Sequence, residues 1–269
     1  MFASDIFLYF NFYVSVIDQF SLERKVALIS GGNRGLGYEI AKALGEAGAS
    51  LAIAARDSQR NKDAIEKLRE IGGGKCVGLT CDVTDEKQVS ETVEKTVDEY
   101  GRIDILINSA GINIRGLIEK LDLEEFRQVQ EVNVTGTWLM CRAAAPFMKK
   151  NNYGRVINIG STLSLVAFPE RTPYATSKGA VLNLTRALAM EWATSGITVN
   201  AVLPGAFATE MNLPLLNDPE KYKASISKIP MGRWGKLHEI GGIALFLASD
   251  AASYVTGASF VVDGGWTAQ

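Results

Sequence analysis

Apolar and polar positions along this chain alternate between short solid runs and longer amphipathic stretches. Residues 25–30 form a short apolar run, which predicts a strand buried on both faces. The glycines after it open an amphipathic helix that runs through Ala47. A second strand follows at 50–55 and a charged helix at 58–71. Residues 77–80 read as a third strand. The helix at 85–100 opens on acidic residues, where the helix dipole favours negative charge. A fourth strand at 103–108 precedes a long helical stretch from about 122 to 150, and a fifth strand spans 155–160. The segment 174–192, rich in Ala, Leu and Met, reads as another helix. Runs at 197–203 and 259–263 supply two more strands. Strands separated by helices of this length imply parallel crossovers. The pattern predicts an α/β fold, a doubly wound sheet of about seven mainly parallel strands with helices on both faces. No linker or repeat divides residues 21–269, which are expected to form a single domain.

The loop after the first strand, Gly31-Gly32-Asn33-Arg34-Gly35-Leu36-Gly37, carries the first chemistry. Gly31 permits a tight turn, while Gly35 and Gly37 let the backbone approach a pyrophosphate at a helix N-terminus. The spacing is Gly-x3-Gly-x-Gly, a variant of the general dinucleotide fingerprint, and its place between strand and helix makes the sheet Rossmann-type. The second strand should indicate which dinucleotide binds. An acid at its end would grip the ribose 2′-hydroxyl of NAD, but here it ends Ala54-Ala55-Arg56. Arg56 with Arg34 can pair with a 2′-phosphate, which favours NADP; Asp57 could instead reach the ribose and keep NAD possible.

A second motif is Tyr174-Ala175-Thr176-Ser177-Lys178. Positions four apart share one helix face, so the phenol and the ammonium point the same way. An ammonium beside a phenol favours the phenolate, and bringing a phenol from about 10 to about 7 takes about 4 kcal/mol of differential interaction.

Composition narrows the partners. With 47% hydrophobic and 22% charged residues and a net charge of -2, nothing favours nucleic acid or an anionic membrane surface. Cys76, Cys81 and Cys141 have no metal or redox spacing, and an odd scattered set fits a reducing cytoplasm. One histidine, His238, leaves too few ligands for a His-rich metal site and argues against a Ser-His-Asp hydrolase; it is expected at the surface near a helix start. Residues 1–20 are expected to be an N-terminal extension. Its apolar part, 6–17, is too short to span a bilayer and lacks a basic flank or cleavage site.

Taken together, the glycine loop, Asn108-Ser109-Ala110-Gly111, Asn133, Ser161, Tyr174 with Lys178, and Pro204-Gly205 resemble a short-chain dehydrogenase/reductase from about residue 20 to 269. The resemblance implies that Ser161 positions the substrate oxygen, that Tyr174 is the acid–base, and that Lys178 binds the nicotinamide ribose and lowers the tyrosine pKa. It implies that Asn133 holds a water in a proton relay. It places Asp82 and Val83 at the adenine and gives Asn108 the central sheet. Gly31, Asn33, Arg34, Gly35, Leu36, Gly37, Arg56, Ala110 and Gly111 would hold the dinucleotide. Pro204, Gly205, Phe207 and Thr209, with the backbone of Ile159 and Gly160, would lie near the nicotinamide. Ser109 stands where a second Asn is common, and Phe207 where Ile or Val is usual, which puts the nicotinamide pocket in question. A homotetramer is implied, with second apolar faces expected on 138–148 and 180–193.

For substrate, the sequence is most similar to gluconate 5-dehydrogenase-like members, which implies a keto-sugar acid. Arg115 and Arg171 are candidate anchors for its carboxylate; each could equally be solvated or paired with Glu119 or Glu170. The segment 207–234, with Met211, Leu213, Leu215 and Leu216, is expected to cover the site. A 3-oxoacyl-acyl-carrier-protein reductase is the alternative, and a non-catalytic dinucleotide-binding regulator a third reading, which the Asn-Ser-Tyr-Lys set opposes.

Overall fold

The computed structural model describes residues 15–71, 74–212 and 217–268. The apolar runs become β1 (Val26–Ser30), β2 (Ser50–Ala55), β3 (Cys76–Thr80), β4 (Ile105–Asn108), β5 (Gly154–Ile159), β6 (Ile197–Pro204) and β7 (Ser259–Val262). They pair in parallel throughout, in the order β3-β2-β1-β4-β5-β6-β7. Every residue of β1, β4, β5 and β6 is buried, as a strand covered on both faces requires.

Alternate side chains feed two cores. Ile29, Ile53 and Ile107 meet α1 (Gly35–Glu46), α2 (Ser58–Glu70) and α8 (Gly241–Ala248) on one face. Leu28, Leu106 and Val156 meet α3 (Glu86–Tyr100), α5 (Gly136–Lys150) and α6 (Thr172–Trp192) on the other. Asp57 and Asp85 fix the starts of α2 and α3 by accepting backbone N–H groups, and Gly101, at φ 79°, ends α3 in the left-handed conformation. The chain leaves β1 toward β2 and β3, then returns to β4 and continues the opposite way. The connections after β1 and β4 therefore diverge, and a crevice opens at the C-terminal ends of those two strands.

Three features differ from expectation. The long helical stretch is α4 (Leu123–Gln130), a π-helical turn (Glu131–Thr135), and then α5. Asp122 and Glu125 form a reciprocal capping box at its start. The covering segment contains a helix, α7 (Pro219–Ile226), although the apolar positions Leu213, Leu215 and Leu216 lie outside the described residues, as does the Met211 side chain. On α5 and α6 the outward faces are mixed. Trp138 and Met190 are exposed, but Arg142 stacks over the Trp138 ring and pairs with Glu86 at 3.0 Å.

Of the N-terminal extension, residues 1–14 lie outside the described residues. The turn Asp18–Phe20 sets the Phe20 ring 6.4 Å from Phe246 of α8. Among the described residues no helix is long and apolar enough to cross a membrane, and no metal-binding cluster occurs. His238 is exposed, in the turn before α8, and all three cysteines are buried and free.

Candidate active site

The candidate residues gather at the C-terminal ends of β1, β4, β5 and β6. Gly31, at φ 70°, turns the chain so closely that a Cβ there would lie 2.8 Å from the Ala110 nitrogen. A Cβ on Gly37 would overlap the Gly31 carbonyl, so α1 can begin this close to β1 only with glycine. Arg34 occupies the N-cap of α1 in extended conformation, with no side-chain cap on the first-turn N–H groups. An uncapped helix N-terminus facing a crevice suits an anion such as a dinucleotide pyrophosphate. Gly35 faces Thr209 across this opening, 3.8 Å from a built Cβ to Thr209 Cγ2. Leu36 packs on the adjoining core, and Val83 is buried against Gly136. Asn33 donates to Asn61 at 2.8 Å, and Asn61 donates in turn to the Ala55 and Leu79 carbonyls, which ties the glycine loop to the ends of β2 and β3.

Around the Tyr174 helix the chain is stitched by side chains. Lys178 is buried and donates to the Ile159 carbonyl at 2.7 Å. Ser161 caps a short turn by accepting from Leu163 N at 3.1 Å, and its hydroxyl lies near enough to the Tyr174 phenol to favour the charged form. Asn133 accepts from Ile112 N at 2.8 Å and donates to the Ile112 carbonyl and to Ser177 Oγ. The π-helical turn, with Gly136 N bonded to the Glu131 carbonyl, is what presents Asn133 here. Gly111 leaves room for both groups: a Cβ there would lie 3.2 Å from Asn133 Oδ1 and 3.6 Å from Lys178 Nζ. Below them Asn108 donates to Asn158 Oδ1 at 2.9 Å, and Asn158 donates to Thr185 Oγ1 at 2.9 Å, which joins β4, β5 and α6.

Burial dominates the electrostatics of the pair. Burial pushes the Tyr174 phenol up from its ordinary value, more strongly than the Ser161 hydrogen bond and the Arg115 charge pull it down. Lys178 Nζ lies over the Tyr174 ring, 5.6 Å from its centre, and donates to the Ile159 carbonyl. Burial lowers Lys178 itself to about 8. Tyr174 is thus a phenol that burial keeps protonated, beside a lysine that is costly to charge.

Several assigned residues sit differently from the simplest picture. The Phe207 ring is buried against Gly235, and its carbonyl receives Thr209 N and Asn212 Nδ2. Pro204 closes β6, and Gly205 donates to Val262 at 2.9 Å, with no space for a Cβ beside Asp263. Asp82 accepts from Thr84 and stands 4.0 Å from Arg56. Asp57, the alternative ribose ligand, is engaged in capping α2 and pairing with Arg60. Arg34 pairs at 2.7 Å with Glu210.

Arg115 and Arg171 do converge. Gly116 N donates to the Glu170 carbonyl at 3.2 Å, which brings their loops together. Burial depresses Arg171 first and the Arg115 charge second, while Arg115 is also felt at Tyr174. Arg115 donates to Asn212 Oδ1 at 3.1 Å, and Arg171 lies over the Phe168 ring. Sequence reasoning missed Asn158, Ser177, Arg60, Glu210 and Ser164, whose hydroxyl donates to the Lys178 carbonyl at 2.8 Å and accepts from Ser161 N. Only Ser177, within the Tyr–Lys motif, had a local signal. A cleft of about 740 Å³ lined by Lys25, Tyr153, Arg155 and Asp250 lies at the N-terminal ends of β1, β5 and β6, away from these groups.

Comparison with known proteins places this geometry. Residues 31–267 match the family model described as Enoyl-(Acyl carrier protein) reductase. The chain belongs to the short-chain dehydrogenase/reductase family, oxidoreductases that act on CH–OH groups with a nicotinamide cofactor. It is 38% identical over 255 residues to 2-dehydro-3-deoxy-D-gluconate 5-dehydrogenase of Dickeya dadantii, covering 94% of this chain and 100% of that one. It is 40% identical over 245 residues to 3-oxoacyl-acyl-carrier-protein reductase of Thermotoga maritima, covering 91% and 98%. A solved gluconate 5-dehydrogenase from Burkholderia cenocepacia, in complex with NADP and tartrate, superposes with a TM-score of 0.91 at 35% identity, covering 95% of this chain and 100% of that chain.

Proposed function

We propose that residues 21–269 form one catalytic domain that interconverts a keto-sugar acid and its alcohol, such as 5-ketogluconate and gluconate, with NADP as the favoured cofactor. The observation that carries the substrate class is the convergence of Arg115 and Arg171 beside Tyr174. Two cations near one proton donor suit a substrate with a carboxylate remote from its carbonyl. The tartrate in the Burkholderia cenocepacia complex is itself a small hydroxylated carboxylate, which agrees with this reading.

A bound nicotinamide would supply or accept the hydride. The chain's own residues handle the oxygen. Ser161 lies beside Tyr174 and would donate to the developing alkoxide, while Tyr174 gives it a proton. A phenol raised by burial stays protonated across neutral pH, so reduction should hold steady there and oxidation should rise with pH. Lys178, fixed by Ile159, would hold the nicotinamide ribose. The Asn133 side chain is occupied by Ile112 and Ser177, so we assign it to positioning the loop beside Gly111. Arg34 and Arg56 are the proposed 2′-phosphate ligands. Trp138 and Met190, exposed on α5 and α6, support a homotetramer, which light scattering would test. The chain's place would be the cytoplasm.

A second reading, a 3-oxoacyl thioester, is favoured by exposed Leu165, Val166 and Phe168 between β5 and α6, with Lys228 over the Phe168 ring at 5.1 Å. NADPH oxidation followed with 5-ketogluconate, a neutral ketone of similar size and a 3-oxoacyl thioester separates these. Arg115→Ala and Arg171→Ala should raise KM for the acid and spare the neutral ketone. Equal penalties would remove the carboxylate reading, and turnover of the thioester alone would replace it.

A further inference from the structure

A cleft of about 310 Å³ lies between the glycine loop and the start of α2, lined by Asn33, Arg34, Arg60, Lys67 and Glu210 among others. It adjoins the end of β2, where a Rossmann-type fold reads the ribose that carries or lacks the 2′-phosphate. The Glu210 carboxylate already occupies its cationic side, 2.7 Å from Arg34 and 3.0 Å from Arg60. Arg60 is aimed there by its own helix cap: its backbone donates to Asp57, and its Nε stands 3.4 Å from the same carboxylate group.

The geometry points to Glu210 as an internal counter-anion that a cofactor 2′-phosphate displaces from Arg34 and Arg60, making this glutamate and Arg60 determinants of NADP-versus-NAD selectivity. The inference rests on the NADP reading above. A phosphate dianion and a carboxylate compete for the same guanidinium donors, and the phosphate brings more charge and more acceptor oxygens. Both ion pairs are exposed, so exchange is inexpensive and salt-sensitive. Glu210 also opens the turn Glu210–Asn212, and Asn212 accepts from Arg115. Displacing the glutamate therefore acts on the segment that holds a proposed substrate anchor, whereas a cofactor without the phosphate leaves that segment pinned.

The test is direct binding of NADPH and NADH by fluorescence titration. Glu210→Gln should tighten NADPH about fivefold and leave NADH within about twofold, since only the phosphate meets the removed charge. In the Glu210→Gln background, Arg60→Gln should weaken NADPH about fivefold and again spare NADH. No change for NADPH, or equal changes for both cofactors, overturns the inference. If that happens while Arg34→Ala and Arg56→Ala still weaken NADPH selectively, the cofactor reading stands alone. If Arg34→Ala and Arg56→Ala do not discriminate the two cofactors, the NADP reading falls and this inference with it.

Discussion

Beneath Tyr174 the chain is tied by neutral hydrogen bonds between buried side chains, whereas much of the segment from 207 to 239 is tied by ion pairs open to water. Asn108, Asn158 and Thr185 form a dry ladder from β4 to α6, all three fully or almost fully buried. The covering segment is held by Glu210 on Arg34 and Arg60 and by Arg233 on Glu239, with buried Phe207, Ile229 and Trp234 as its apolar anchors. Buried hydrogen bonds are costly to break because the orphaned group cannot reach water. Exposed ion pairs are weak, screened by salt and quick to change partners. The floor that must aim a proton donor is built from the first kind, and the cover that must admit ligands largely from the second.

The contrast can be broken from the floor first. Tyr174→Phe removes the proton donor without disturbing the ladder, so turnover should fall by about 10²–10⁴ with circular dichroism and melting temperature preserved. Near-normal turnover would end the acid–base assignment. Next in size, Asn158→Leu breaks both rungs of the ladder, leaving Asn108 only Cys141 Sγ to donate to, and urea unfolding should show a loss of about 3 kcal/mol that sodium chloride does not alter.

Lys178 sharpens the comparison because it is the charged exception in the floor. Burial lowers it to about 8, below the ordinary 10.5, so the unfolded chain holds that proton more tightly. The resulting penalty is fully present below about pH 8 and disappears as pH rises toward about 10.5. Lys178→Met should therefore stabilise the protein at pH 7 by about 2 kcal/mol, and that advantage should shrink across the same window while turnover is lost. The smallest effect belongs to the cover. Arg233→Gln should move the melting temperature by less than about 2 °C, an effect that added salt erases.

What the sequence discloses and conceals follows the same division. The strands were legible because doubly covered strands are solid apolar runs, and residues 50–55 match β2 residue for residue. The glycine loop and the Tyr174–Lys178 pair were legible because their spacing is local. Asn158 was not, since its partners Asn108 and Thr185 are 50 and 27 residues away. Glu210 was hidden more deeply, 176 residues from Arg34 and 150 from Arg60. The burial that raises the Tyr174 phenol was hidden as well, because spacing reports that a lysine is near but not how deeply the phenol is enclosed. Helix α8 went unnoticed because its residues are apolar around much of the circumference and show little amphipathic period.

The π-helical turn at Glu131–Thr135 has a consequence for how this chain can change in length. A π turn carries one residue more than the regular helix around it, and here the surplus serves to point Asn133 at Ile112. Deleting any one residue of the turn lets α4 and α5 fuse into an uninterrupted helix. The deletion would look conservative, since helix would remain helix and the faces of α4 and α5 would keep their relation, yet the outward bulge that aims Asn133 would be gone. Insertions and deletions are ordinarily tolerated in connections and rejected inside elements for loss of packing. In this helix one would be rejected for loss of aim, and the apparent irregularity is the position least free to be smoothed away.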